Sequence, residues 1–218
     1  MEEAHSRLIA DGIRFSFLGT GKSMVAYALY KNLGYLDFRP LCLGLKECQP
    51  KNRYKKGLSY TPTTDNEVFV ELFKRYSKGM LGFVHRPKNY LQIKKVWGWP
   101  SINMKGIFTK NSKNIGYLLA NKEKKNIRIL EICCPKNKDI QRCIEALEMK
   151  FKPQYMSFEW MAGTSLIGAF IDSGFKLLSS SWGTIMIKDL EEKHSVEDIR
   201  RSYGLEEDRF HMTSIDIY

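Results

Sequence analysis

Apolar positions along the chain switch repeatedly between helical and strand spacing, and this order of periods defines the predicted elements. In chain order, the first group is a helix over 1–10, a strand over 13–18, a helix over 23–33 and an extended segment over 36–45. Pro40 predicts a bulge or an edge position within the extended segment. Residues 47–64 are polar and basic, which is a linker composition.

A longer second group of elements begins at residue 65. In chain order it comprises helices from 65 and over 89–96, strands over 102–110, 114–121 and 127–134, a helix from 139, a strand over 155–161, a helix over 165–173, a strand over 180–190 and a short helix from 195. Short polar turns join the first three strands and therefore predict an antiparallel meander. The acidic segment after the last helix is predicted to be mobile.

The chain contains an internal repeat with an offset of 140 residues. At this offset strand falls on strand and helix on helix, and Gly34 meets Gly174 while Tyr35 meets Phe175. The helix over 1–10 likewise meets the helix that begins at Asp139. Two copies of helix, strand, helix, strand indicate a duplicated architecture.

Residues near the end of the second helix carry a family resemblance. Ala26, Leu29-Tyr30 and Gly34-Tyr35 resemble the A-x-x-L-Y-x-x-x-G-F helix ending of the GNAT N-acetyltransferase superfamily. The element order over about 65–190 is similar to the order of a whole domain of that family.

The resemblance implies an α/β (α+β) fold with a mixed, mainly antiparallel sheet and flanking helices. The implied organisation is a C-terminal half domain over 1–46, a basic linker over 47–64, a degenerate full domain over 65–190, and a short helix with an acidic tail over 191–218. A chain that opens within a helix suggests an N-terminally clipped product or an internal start. The uncovered strand edges of a half domain predict self-association or packing against the second domain.

The cofactor implied by the resemblance is acetyl-CoA, which the family holds on a glycine-rich loop that opens a helix. The corresponding segment, CPKNKDIQRCIEAL, has no glycine. Ile132, Cys133, Lys136 and Lys138 are the implied cofactor-binding residues. Both a remodelled site and a lost site are consistent with this segment.

Two residues are candidates for catalysis. Tyr30 occupies the position at which the family places its proton donor, with buried packing as the alternative role. Glu131 lies between apolar residues of a strand and is either a general base that lines a cleft or a carboxylate that points to solvent. His85-Arg86 faces a substrate cleft or has a surface or capping role.

The net charge of +11 is concentrated in the centre of the chain, where residues 51–190 hold 25 Lys/Arg against 11 Asp/Glu. This excess favours an anionic partner or is a solvated lysine-rich surface. Aromatic and lysine residues over 88–99 have no recognisable nucleic-acid-binding module around them, so nucleic acid is not the expected partner.

Several other classes of site are disfavoured. Gly19-Thr20-Gly21-Lys22-Ser23 lacks the first glycine of a P-loop, and the five cysteines lack zinc spacing and are expected as buried free thiols. No apolar run is long enough to span a membrane, and a cytoplasmic location is expected.

Two functional classes follow. The first is an acetyl-CoA-dependent N-acetyltransferase acting on an amine of a small molecule or protein. The second is a non-catalytic binding or scaffold protein with a basic face for an anionic partner.

Overall fold

The computed structural model describes residues 1–49, 57–82, 86–96, 102–134, 136–161, 164–178 and 183–217. The helices are α1 (Glu2–Ala10), α2 (Val25–Asn32), α3 (Asn66–Ser77), α4 (Tyr90–Val96), α5 (Asn137–Phe151), α6 (Thr164–Asp172), α7 (Val196–Ser202) and α8 (Ser214–Ile217). The strands are β1 (Phe15–Gly21), β2 (Leu36–Pro40), β3 (Cys42–Glu47), β4 (Leu58–Pro62), β5 (Met104–Lys110), β6 (Lys113–Glu123), β7 (Asn126–Cys133), β8 (Tyr155–Met161), β9 (Lys176–Leu177) and β10 (Gly183–Asp189).

The strands form two sheets. The larger has the order β4-β5-β6-β7-β8-β3-β9 and the smaller has the order β1-β10-β2. Among the described strands, β7 and β8 pair in parallel and the other ladders are antiparallel. The predicted α/β class and mainly antiparallel sheet are therefore confirmed.

The two sequence repeats exchange their last strands. β3 ends the first repeat but lies between β8 and β9 of the second, and β10 ends the second repeat but lies between β1 and β2 of the first. Each sheet therefore depends on a strand from the other repeat. The first half is predicted to pack against the second domain, and it does so through these exchanged strands. Self-association remains a prediction.

Each exchanged strand also carries a lysine that caps a helix of the other repeat. Lys46 on β3 donates to the carbonyl of Ser173 at the end of α6, and Lys188 on β10 donates to the carbonyl of Leu33 at the end of α2, at 2.8 Å. A cation at a helix C-terminus satisfies free carbonyls and complements the helix dipole. Lys46 is buried and forms an ion pair with Glu148 of α5.

Buried apolar side chains form three clusters. The first lies against α5 and α6 and includes Phe158, and the second lies against α3 and includes Tyr117. Tyr117 and Leu118 are neighbours on β6 that belong to different clusters, so these clusters occupy opposite faces of the larger sheet. The third cluster includes Phe38 of the smaller sheet and Ile199 of α7.

Three sequence expectations differ from the structure. The predicted linker over 47–64 contains strand β4, which pairs with β5. The extended segment over 36–45 is two strands in different sheets, because the chain passes from β2 to β3 at Leu41. Residues 19–21, which lie between the predicted strand over 13–18 and the predicted helix over 23–33, are the end of β1 and not a loop.

The meander agrees with expectation, and its first turn has a local cause. Asn111 and Ser112 both adopt positive φ, at 49° and 61°, between the paired residues Lys110 and Lys113. Two central residues in the left-handed region match the twist of a two-residue hairpin, and asparagine tolerates that region.

Replacing Gly44 with alanine should weaken the strand exchange. An added Cβ at Gly44 would lie 2.2 Å from Cε1 of Phe158, whose ring stacks 4.3 Å from that of Phe170 and has little room to move. We expect Gly44→Ala to lower the free energy of unfolding by about 1–3 kcal/mol in urea titrations. Gly168→Ala is the matched control, because its Cβ would meet nothing within 4 Å. It should gain about 1 kcal/mol from helix propensity. Equal effects of the two substitutions would contradict this account.

Candidate functional site

The central feature of the larger sheet is a gap between the parallel strands β7 and β8. Their pairing ends at Ile129 and Phe158. Beyond this pair β7 stays with β6 as far as Cys133, while β8 stays with β3 as far as Met161. Beyond Ile129 and Phe158, β7 and β8 therefore no longer pair with each other, and their facing edges border an opening within the sheet.

The gap adjoins the N-terminus of α5. Lys136 is the N-cap residue of this 15-residue helix and forms no side-chain cap. Lys136 and Lys138 are exposed, whereas Asp139 is buried and lies 3.3 Å from Nζ of Lys110 and 3.6 Å from the Arg142 guanidinium. The helix therefore begins with two exposed ammonium groups and a carboxylate whose charge is already compensated.

Glu131 of β7, beside the gap, is the centre of a buried hydrogen-bond network. Glu131 is fully buried and accepts two hydrogen bonds of 2.8 Å from the guanidinium of Arg86. Its carboxylate also accepts from the hydroxyls of Tyr117, at 2.8 Å, and Thr213, at 3.0 Å. The Arg86 guanidinium in turn lies 3.8 Å from the ring centre of Phe73. A buried carboxylate requires this kind of compensation.

The ionisation of this network follows from its partners. Burial alone would raise the pKa of Glu131, but the charge of Arg86 and the hydrogen bonds from Arg86, Tyr117 and Thr213 lower the pKa below its usual value. Burial raises the pKa of Tyr117 well above its usual value. Glu131 is therefore a carboxylate, and Tyr117 is a neutral donor.

The C-terminal segment, defined here as residues 211–217, occupies the gap. Ser214 donates its hydroxyl to the main-chain carbonyl of Glu159 on β8. Ile215 is fully buried, and its carbonyl accepts a 2.9 Å hydrogen bond from the hydroxyl of Tyr90. The expected mobility of the acidic tail is wrong for this segment, because its hydroxyls and apolar side chain find partners on β7, β8 and α4.

His211 fixes the start of this segment. Its ring is fully buried, with Nδ1 3.1 Å from the hydroxyl of Tyr76, and its main-chain N–H donates to Leu81 at 2.8 Å. Burial lowers the pKa of His211 to about 4, with Glu131 opposing and Arg86 reinforcing that shift. The ring is therefore neutral at pH 7.

A narrow, partly open cleft with about 20 Å³ of free interior space, roughly enough for one water molecule, lies on the α3 side of the network. Its lining is mostly aromatic and aliphatic, with two cationic side chains, Arg86 and Lys88, from the segment before α4. The lining includes Phe69, Phe73, Arg86, Lys88, Tyr90 and Tyr117. Ligand sites share this mix of an apolar lining and a few polar groups, but they are far larger than this cleft.

The residues predicted as a site are only partly brought together. Ile132 and Cys133 lie on β7 at the gap with both side chains buried, so only their main-chain groups could meet a ligand. Lys136 lies three residues further along the chain. Tyr30 is half-buried on α2 beside the smaller sheet, with its ring 5.8 Å from that of Tyr35. Glu131 is in the larger sheet, so Tyr30 and Glu131 are not in the same part of the fold.

Sequence reasoning missed the partners of Glu131. The exposed position considered for this carboxylate is wrong, and so is the surface or capping role for Arg86, which is buried at 8% exposure. His85 lies outside the described residues. The available signal was the cost of burying a carboxylate within an apolar strand, which predicts a cation nearby. No comparable signal marked Thr213, because the partners of a C-terminal hydroxyl depend on how the tail folds back.

The cysteines and helices add two observations. All five cysteines are free, and Cys133 and Cys134 point into opposite clusters as their alternation predicts. Among the described helices, none is long and apolar enough to cross a bilayer.

Comparison with solved structures identifies the fold. A GCN5-related N-acetyltransferase from Anabaena variabilis is 14% identical, with 87% of this chain and 49% of that chain covered and a TM-score of 0.64. A conserved protein of unknown function from Enterococcus faecalis, described as a probable N-acyltransferase, is 15% identical with the same coverage and TM-score. A GCN5-related N-acetyltransferase from Kribbella flavida is 12% identical over 86% of this chain and 46% of that chain, with a TM-score of 0.55.

This chain therefore has the GCN5-related N-acetyltransferase fold, as its sequence resemblance implied. It spans about half the length of the solved structures it matches. No protein-family model matches the sequence, and no curated protein matches it.

The stability of the protein should fall between pH 6.5 and pH 4 because of His211. The folded state keeps this ring neutral down to a pKa of about 4, against a reference value of 6.5. The unfolded chain therefore binds more protons in this window, so the free energy of unfolding decreases as the pH decreases. The loss is at most about 3 kcal/mol, and Glu131 adds to it below its reference pKa of 4.5.

Urea titrations at several pH values test this dependence. His211→Asn keeps an acceptor near the position of Nδ1 but cannot titrate, so its stability should vary less between pH 4 and pH 6.5. His5, whose pKa burial and Lys188 also lower, contributes the same sign and should remain in both proteins. Identical slopes for the variant and the parent chain would refute the assignment.

Proposed function

We propose that this chain is part of an acetyl-CoA-dependent N-acyltransferase that transfers an acyl group to an amine. One observation carries the proposal: the parallel strands β7 and β8 separate directly before the N-terminus of α5. The solved structures with this fold include N-acetyltransferases, which supports the assignment. Because the chain covers about half of their length, the activity is proposed for the protein to which this chain contributes.

The residues at the gap suit the charge of acetyl-CoA better than they suit its shape. The first N–H groups of α5, with Lys136 and Lys138, offer positive charge to phosphates. The segment from Cys134 to Ile140 has no glycine, so every residue there carries a Cβ that limits close approach to the main chain. We therefore propose that Lys136 and Lys138 hold the phosphates by side-chain charge.

The remaining roles are assigned to the groups around the gap. Bound acetyl-CoA supplies an activated thioester for attack by the amine. The main chain of β7 at Ile132 and Cys133 would orient the thioester carbonyl, and the aromatic cleft beside Tyr90 would receive the acceptor. Excluding water in this cleft strengthens each polar contact.

Glu131 is best placed to position other groups. Its lowered pKa makes it a weak base, and four hydrogen bonds already occupy its carboxylate. We propose that Glu131 holds Arg86 and Tyr117 in the cleft wall, and the role of general base remains a prediction. Tyr30 lies on α2, away from this gap. We therefore propose it as a proton donor for the first repeat only.

A second candidate is a non-catalytic binding protein. The specific observation in its favour is that the C-terminal segment fills the gap in which a thioester would lie. The basic central part of the chain would then bind an anionic partner through its surface. The two candidates differ in whether binding of acetyl-CoA survives physiological salt, because surface charge pairs are screened.

Calorimetry with acetyl-CoA distinguishes these candidates. We expect binding that weakens with salt but persists at physiological ionic strength, and a loss of about tenfold in affinity for Lys136→Glu/Lys138→Glu, because two charge-assisted contacts become repulsive. Lys124→Glu/Lys125→Glu is the matched control, since it makes the same charge change at the exposed β6–β7 turn. If both double variants weaken binding equally, or salt abolishes binding, the second candidate is supported instead.

A further inference from the structure

We propose that residues 213–217 of the C-terminal segment are an intramolecular plug that closes the gap between β7 and β8 and leaves it by rotating about Met212. Its departure would open the strand edges and the adjoining cleft to a ligand. The identity of that ligand as a CoA thioester rests on the proposed function, whereas the plug itself rests on contacts within the chain.

The segment contacts both separated strands. Thr213 donates to Glu131 on β7, and Ser214 donates to the carbonyl of Glu159 on β8. These contacts lie beyond the last paired residues, Ile129 and Phe158. The segment therefore bridges the two strands where they have separated.

The segment also packs beside the cleft on the α3 side. Ile215 joins the apolar cluster that contains Phe73, Tyr90 and Tyr117. The same three aromatic residues line the cleft. A ligand that entered the cleft toward β7 would meet Ile215, so the segment and such a ligand compete for one space.

The contacts of the segment are suited to release. Without Thr213, Glu131 keeps both hydrogen bonds from Arg86 and the one from Tyr117, so the buried charge stays compensated. The carbonyl of Glu159, once Ser214 leaves, would border an open gap where water can replace the hydroxyl. Release of the segment therefore does not leave the Glu131 carboxylate buried without partners.

The start of the segment, in contrast, is anchored. Leu81 and Phe210 form a parallel bridge, and the main chain of Leu81 bonds to Arg209 and His211 on either side of it. His211 is fully buried while Met212 is half-buried. The anchored part of the chain therefore ends at His211, and Met212 is the residue about which the rest of the segment would rotate.

A plug of this kind lowers the apparent affinity of any ligand for the gap. The observed dissociation constant equals the intrinsic one divided by the fraction of molecules in the open state. If about one molecule in ten is open, eviction of the segment raises affinity about tenfold. By reciprocity, a ligand that binds the gap must reduce the protection of the segment.

Hydrogen exchange on the full chain tests the plug. Ile215→Asp places a charge in the apolar cluster and should expel the segment, because a buried unpaired carboxylate is costly. Amides over 213–217, and those over 130–133 that face the gap, should exchange faster, while those of β5 and α5 stay protected. Val25→Asp is the matched control, since Val25 is 88% exposed, and it should leave this region unchanged.

The outcomes separate the plug from the proposed function. Local release together with about tenfold tighter acetyl-CoA binding supports both. Local release without any acetyl-CoA binding supports the plug and refutes the proposed function. Local release with unchanged affinity refutes exclusion by the plug, and unchanged exchange refutes the plug while leaving acetyl-CoA binding as a separate result.

A milder variant decides the case in which Ile215→Asp unfolds the domain. Tyr90→Phe removes only the hydroxyl that bonds to Ile215 and keeps the ring in its cluster. Exchange over 213–217 should then rise by about two- to tenfold without a matching rise elsewhere. A uniform rise over the whole domain would show that the segment is part of the core and would overturn the proposal.

Discussion

The reciprocal strand exchange is the constraint on which the rest of the structure depends. β3 and β10 each complete a sheet formed by the other repeat, so neither repeat has a complete hydrogen-bonded sheet without its partner. Lys46 and Lys188 extend this dependence to the helices, because each caps a helix of the other repeat from an exchanged strand. A chain joined in this way should unfold as one cooperative unit, since loss of one exchanged strand exposes the edges of two others.

The exchange also shapes the candidate site. β8 is held on one side by β3, and the close approach of Gly44 to Phe158 fixes that pairing. β7 is held by β6, so the two parallel strands are drawn into different antiparallel ladders and separate after Ile129. The antiparallel ladders hold the two sides of the gap, and Ser214 of the C-terminal segment supplies the carbonyl of Glu159 with a polar partner that a continuous ladder would otherwise have provided.

The sequence predicted most of the local structure but little of the site. Periodicity located the meander and α5 because their apolar positions repeat over many residues, and the offset of 140 residues identified the equivalent elements. It could not show that β3 and β10 change places, since both strands pair antiparallel and either sheet satisfies their alternation. Glu131 was singled out, but Arg86 and Thr213 lie 45 and 82 positions away, and only the folded chain brings them to its carboxylate.

The distribution of charge at the gap determines what can compete there. Arg86 is buried and forms an ion pair with Glu131, so its positive charge is already compensated. The remaining positive charge at this end of β7 comes from Lys136 and Lys138, which are exposed and therefore screened by salt. The C-terminal segment is held by buried hydrogen bonds and an apolar side chain, which salt affects little. Rising ionic strength should therefore shift the balance toward the segment and away from an anionic ligand.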